Sequence, residues 1–261
     1  MDITPYQMIS NLQPGRKNDW RLKIRVTRMW RPSNQEGETV GINLIFVDEL
    51  GERIHAWIQR AYIPLLENQL TEGEIYVIQN FVVRQYTAST VCRCFRNDLW
   101  IHLNNITEVL PPEGAVFIAP HVFQFTELSD IFDAARQTEY LIDVVGICQL
   151  IQPVSTFTNQ YNEQRTKIHF RITDTHTSTP VVFYDELATA FHHAVVDAVE
   201  QPAIVIISSC KAQCLTVRYT YVSDEPKLTN YPATRFFINE DQEAVHNLRQ
   251  KMSIVGWRDN Y

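Results

Sequence analysis

The sequence predicts an all-β chain with short helices: two five-stranded Greek-key barrels in tandem, followed by a helix near the C-terminus. Three observations carry this. Residues Arg53-Ile54-His55-Ala56-Trp57-Ile58-Gln59 alternate polar and apolar with period two, the mark of a strand with one buried face. Around them, the first hundred residues read as three strands, a short helix and two strands. The same order then recurs between residues 141 and 222.

In the first copy, residues 20–30 and 40–47 are apolar and β-branched enough for strands, with the polar loop Pro32-Ser33-Asn34-Gln35-Glu36-Gly37-Glu38 between them. The turn Val47-Asp48-Glu49-Leu50-Gly51-Glu52 leads into the alternating strand 53–59. Residues 62–69 suit a short helix, with Pro64 early enough to be tolerated. A turn at Gly73 opens strand 74–86, whose hairpin partner is expected over 90–106. In the second copy, strands are expected at 141–151, 167–174 and 180–184, a helix at 185–199, and a closing hairpin of 203–209 with 215–222. This is the element order of the OB barrel. Asn239 is placed to cap a helix reaching about Lys251, with acids early and bases late to complement its dipole. The expected division is therefore a first barrel over 1–109, a linker over 110–139, a second barrel over 140–225 and an extension with the helix over 226–261.

Function is legible mainly between Thr27 and Trp57. The strand end Thr27-Arg28-Met29-Trp30-Arg31 is basic and aromatic. In the alternating strand, Ile54, Ala56 and Ile58 share one face while Arg53, His55 and Trp57 share the other. Cations beside a flat ring suit phosphates and an unpaired base, the chemistry of a single-strand nucleic-acid platform. Taken alone, the segment fits equally well an edge tryptophan under a loop and a solvated arginine.

With 45% hydrophobic and 20% charged residues over 261 positions, the chain is globular. No apolar run reaches membrane-spanning length, and the N-terminus lacks the features of a signal peptide, so an intracellular protein is expected. The net charge of -7 argues against binding nucleic acid through bulk charge. Residues 1–110 hold 12 Lys/Arg and 12 Asp/Glu, whereas residues 111–261 hold 11 and 18, so locally placed cations of the first half would carry binding. The five cysteines supply no paired clusters at metal-site spacing, and His192-His193 offers one inward ring at most. Free thiols and no metal or cofactor are expected. Asp48-Glu49 and Asp185-Glu186 sit at a turn and a helix start, where acids serve local structure. His169, His176, His192 and His193 lie near Asp174 and Asp185, but no G-x-S-x-G or phosphate-cradling loop accompanies them, and the chain has only eight glycines. No enzymatic activity is expected.

The chain resembles the tandem DNA-binding OB folds of the replication protein A large (70 kDa) subunit, most closely the plant branch. The resemblance rests on Arg25-Val26-Thr27-Arg28-Met29-Trp30, on Leu44 through Trp57, on Phe123-x-Phe125-x-x-Leu128, on Ile142-Asp143-Val144-Val145-Gly146-Ile147-Cys148, and on Ala233-Thr234-Arg235-Phe236-Phe237-Ile238-Asn239. It implies largely sequence-independent binding of single-stranded DNA in the nucleus, during replication, repair and recombination, alongside other proteins of those processes. Stacking platforms accept RNA as well. By the same resemblance Trp57 and Tyr184 are the stacking aromatics of the two barrels. Arg28 and Arg53 in the first, Lys167 and Lys211 in the second, and Arg84 in the fourth strand are its cations. Family barrels add a second aromatic from the last hairpin. In barrel one Tyr86 or Phe95 is the available substitute, and the expected second hairpin, Lys211-Ala212-Gln213-Cys214, has none. The family's N-terminal interaction barrel and C-terminal zinc-bearing barrel are not in this sequence, which reads as an excised core or a truncated relative. The acidic second half keeps a second reading open, an OB module turned to protein interaction.

Overall fold

A computed structural model describes residues 6–15, 19–34, 36–87, 90–112, 114, 117–214 and 225–255. They fall into two compact units. The first takes residues up to 90 and from 96 to 122; the second takes 91–95 and everything from 123 onward.

In the first unit β1 (Arg21–Trp30), β2 (Gly41–Val47) and β3 (Arg53–Gln59) form an antiparallel meander. Leu22, Ile24, Val26, Leu44, Phe46, Ile54, Ala56 and Ile58 turn inward and are buried, as alternation dictates when one face meets a core. A helical connection follows: a 3-10 turn, α1 (Ile63–Leu66) and a second 3-10 turn, with Leu66 buried in the core. Then come β4 (Ile75–Gln79), β5 (Val82–Gln85), β6 (Leu99–Leu103) and β7 (Glu108–Leu110). β4 pairs with β1, while β6 lies parallel to β3 and antiparallel to β5. Only Asn80 and Phe81 separate β4 from β5. The expected single strand 74–86 is thus one barrel strand kinked where Asn80 takes φ 60. Asn80 holds the kink by donating from Nδ2 to Glu108 and from its backbone N–H to Trp20.

The β2–β3 turn is organised by Asp48, 1% exposed. Its Oδ1 accepts from the backbone N–H groups of Leu50 and Glu52, each at 3.0 Å, and its Oδ2 accepts from Ile9 N–H at 2.9 Å. This Asx-type turn bends the chain and ties the short 3-10 turn Ile9–Asn11 to the barrel.

In the second unit, α2 (Ile131–Ala134) falls within the segment expected as a linker, and its Ile131 is fully buried. β8 (Ile142–Gln149), β9 (Ser155–Thr158), β10 (Gln164–Thr173) and β11 (Ser178–Tyr184) follow, then α3 (Asp185–Val196), β12 (Ile204–Cys214), β13 (Pro226–Thr229), β14 (Arg235–Ile238) and α4 (Glu243–Val255). β8, β10, β11, β13 and β12 pair in a closed ring, with β11 and β13 parallel and the other pairs antiparallel. The α3 stripe Ala188, Phe191, Val195 packs inward, and Phe191 stacks on Phe170 at 4.1 Å between ring centres. Val245, Leu248 and Met252 of α4 cluster with Ile147, Ile204 and Ile206 on the outer side of β8 and β12.

Among the described residues several elements differ from expectation. The partner of β5 begins at Leu99 rather than 90. β12 runs through Ser208-Ser209, where the sequence reads as a strand end. A bulge there, with Ser209 at φ 55, turns both residues toward the buried Asp143, which accepts from Ser208 Oγ at 2.7 Å and Ser209 N–H at 2.8 Å. Lys211–Cys214 is consequently strand, not hairpin loop. The expected strand 215–222 lies outside the described residues, and the fifth position of the barrel is filled by β13. Asn239 does not cap the terminal helix. It takes φ 51 past the end of β14, accepts from Ile204 N–H and donates to Glu200 O.

Candidate nucleic-acid interface

The outward face of the first barrel is built by register. Opposed residues on neighbouring strands share a face, so each row across β1, β2, β3, β6 and β5 can be read off. One row is Trp30, Asn43, Trp57, His102, Val82; the next is Arg28, Ile45, His55, Trp100, Arg84. A β-bulge at Thr27 sets this order. Simple alternation would group Arg28 with the inward Leu22, Ile24 and Val26, but the extra residue brings Arg28 and Trp30 opposite Ile45 and Asn43.

Six rings then run in a continuous series. Trp30 meets His55 at 6.4 Å between centres, His55 meets Tyr86 at 6.0 Å, and Tyr86 meets Trp100 at 6.4 Å. Trp100 meets His102 at 6.0 Å, and His102 meets Tyr62 at 6.3 Å. His55 Nδ1 also hydrogen-bonds the Tyr86 hydroxyl. These edge and tilted contacts fix the rings against one another. Burial first, then the Arg84 guanidinium, push the His102 pKa down, which favours its uncharged form.

The predicted residues of this barrel are differently placed. His55, Trp57 and Trp30 are half-exposed and Arg84 is exposed on the same face. Arg28 shares the face but is only 7% exposed, covered where the sequence suggests a free cation. Arg53 points its Nη1 to Val122 O at 3.0 Å. Arg31, past the end of β1, is ion-paired with Glu67. Of the substitutes considered for the hairpin aromatic, Tyr86 joins the ring series, whereas Phe95 is 6% exposed and belongs to the second unit.

The second barrel presents a smaller face. Lys167 lies opposite Tyr184; Tyr184 meets Phe157 edge-on at 5.9 Å, and Lys167 Nζ sits 5.2 Å from the Phe157 ring centre. His169, Val182, Thr229 and Lys211 form the adjacent cross-strand row. Burial first, then Lys167 and Lys227, push the His169 pKa down. Lys167, Tyr184 and Lys211 are therefore brought to one face, joined by Phe157, His169 and Lys227.

Sequence reasoning missed Trp100, His102 and Tyr62. The signal was present, since Leu99-Trp100-Ile101-His102-Leu103 alternates cleanly, but drawing the strand from residue 90 hid its register. Among the described residues no group of three or more His, Cys, Asp or Glu is arranged to hold a metal ion. No helix among them is long and apolar enough to cross a membrane.

A family described as a domain of unknown function, DUF223, matches residues 10–134. A replication protein A 70 kDa DNA-binding protein of Arabidopsis thaliana is 27% identical over 217 residues, covering 81% of this chain and 32% of that protein. Its counterpart in Gallus gallus is 32% identical over 159 residues, covering 56% of this chain and 24% of that one. A solved replication protein A heterotrimer bound to single-stranded DNA aligns over 97% of this chain and 55% of its own, with a TM-score of 0.60 at 20% identity. The chain is thus similar to the large subunit of replication protein A. The structural likeness shows the fold, and the two curated relatives show that the chain spans a third or less of their length. Of the face described above, His55 and Trp57 lie on β3, the strand to which the resemblance assigned the first stacking aromatic.

Proposed function

We propose that this chain binds single-stranded DNA with little sequence dependence, by base stacking and phosphate contacts on both OB folds, in a nuclear replication or repair role. The observation that carries this is the series Trp30, His55, Tyr86, Trp100 and His102 on the outward face of the first barrel, with Arg84 beside it and Tyr62 against His102. A large, outward aromatic surface with few charges is poorly suited to a duplex, whose bases are stacked inside, and well suited to unpaired bases. The names of the relatives support the same reading. Fluorescence anisotropy of a labelled oligo-dT, titrated with salt, tests it. Tight binding that weakens with salt, and a clear preference over duplex of the same length, is the expected result. Equal affinity for duplex and single strand would end this reading, and no binding at all by folded protein would favour a protein-interaction module.

A further inference from the structure

Arg165 stands at the edge of the second platform with its guanidinium already engaged. It lies on β10 opposite Phe157 of β9, two residues before Lys167 and so on the same face. Its Nε donates to both carboxylate oxygens of Asp185, at 3.1 and 2.9 Å, and its Nη2 donates to Oδ2. A planar fork on two oxygens is the geometry by which arginine also grips phosphate. Asp185 reaches this position with a φ of 57, immediately after the stacking candidate Tyr184, a conformation uncommon for a residue other than glycine. The pair is not buried: the two side chains are 43% and 37% exposed. An exposed pair of this kind adds little to folding stability. It lies instead where a strand crossing Tyr184 and Phe157 must pass.

We propose that Asp185 is a phosphate surrogate that latches Arg165 in the free protein. Arg165 then joins the bound strand only when a backbone phosphate displaces the carboxylate, which makes the second barrel a conditional site. This rests on the single-strand reading above.

Asp185→Asn keeps the side-chain shape and removes the charge. Salt titrations with labelled oligo-dT should show the slope of log affinity steeper by about 0.7, one extra phosphate, and affinity about fivefold higher at 0.1 M salt. Arg165→Ala added to Asp185→Asn should return the slope to that of the unmodified protein. An Asp185→Asn protein that is folded by circular dichroism and binds with unchanged affinity and slope overturns the latch. Should that variant not fold, the unmodified protein still decides. Its Arg165 Nε–H resonance must shift on saturation with oligo-dT, and an unmoved resonance rejects the proposal. Failure of the single-strand reading is distinguished because the unmodified protein then binds no oligonucleotide in the same titration, and the latch falls with it.

Discussion

The indole of Trp57 rests against the backbone of Gly41. A Cβ placed on Gly41 would lie 2.2 Å from the Trp57 ring and 2.5 Å from Ile58 O, distances no side chain tolerates. Gly41 opens β2 opposite Gln59, diagonal to Trp57, so the absence of a side chain there is what lets the ring lie down on the sheet. The indole held there remains half-exposed.

The first prediction follows from that seat. Trp57→Ala should weaken oligo-dT binding by about 1–3 kcal/mol with little change in salt slope, because a stack rather than a phosphate contact is lost. Gly41→Ala should weaken binding too, by lifting the ring, and should alter tryptophan fluorescence in the free protein. Normal binding by folded Trp57→Ala protein would make this tryptophan merely structural.

Charge should separate cleanly from burial on the same row. Arg84 is exposed, so Arg84→Ala should reduce the salt slope by about 0.7, the share of one phosphate on a single strand. Arg28 is 7% exposed, so Arg28→Ala should instead lower the midpoint of thermal unfolding and leave the slope nearly unchanged. An equal slope change in both variants would mean that Arg28 swings out to the strand.

Binding should also depend on pH. In the free protein the pKa values of His102 and His169 lie below 6.5, through burial and through Arg84 in one case and Lys167 and Lys227 in the other. Phosphates brought to the face favour the charged imidazolium, so binding takes up protons and affinity should rise as pH falls from 7.5 toward 5.5. The free protein should behave oppositely. A histidine pKa depressed by folding means the unfolded chain binds more protons below pH 6.5, so stability from these rings is present above that pH and declines beneath it. Oligo-dT titrations of His102→Gln should show a flatter pH profile; an unchanged profile would remove His102 from the bound face.

The alternation of residues 53–59 was readable because its buried half has no choice. Ile54, Ala56 and Ile58 must enter the core, which sends His55 and Trp57 outward. What the sequence concealed were places where a single polar residue bends a strand without ending it. Asn80 accepts a left-handed φ at low cost, so the strand expected to run straight over 74–86 is kinked there. Ser208-Ser209 looks like a strand end, but Asp143, 65 residues away from Ser208, satisfies both and carries β12 on to Cys214. That shift matters for the site. Lys211-Ala212-Gln213-Cys214, expected as the closing hairpin, is strand instead, and residues 215–224 lie outside the described ones. The bulge at Thr27 acts in the same way, since only the paired register reveals that Arg28 and Trp30 share a face with His55.

The last prediction is that the two platforms contribute unequally. The first offers six linked rings, Trp57 and an exposed Arg84; the second offers Phe157 and Tyr184 with Lys167, Lys211 and Lys227, while Arg165 and Arg171 are ion-paired to Asp185 and Glu225. A strand long enough for both should gain from the weaker site through effective concentration, and a short one should not. Cutting the chain at residue 110 would not isolate the units, because residues 91–95 belong to the second. Point variants are the better test. On an oligo-dT of about 8 nucleotides, within the range one OB fold occupies, Trp57→Ala should cost most of the affinity and Tyr184→Ala almost none. On one about three times longer, Tyr184→Ala should become costly as well. If Tyr184→Ala weakens the short oligonucleotide as much as Trp57→Ala does, the second barrel is a primary site and its acidic surroundings do not hold it back.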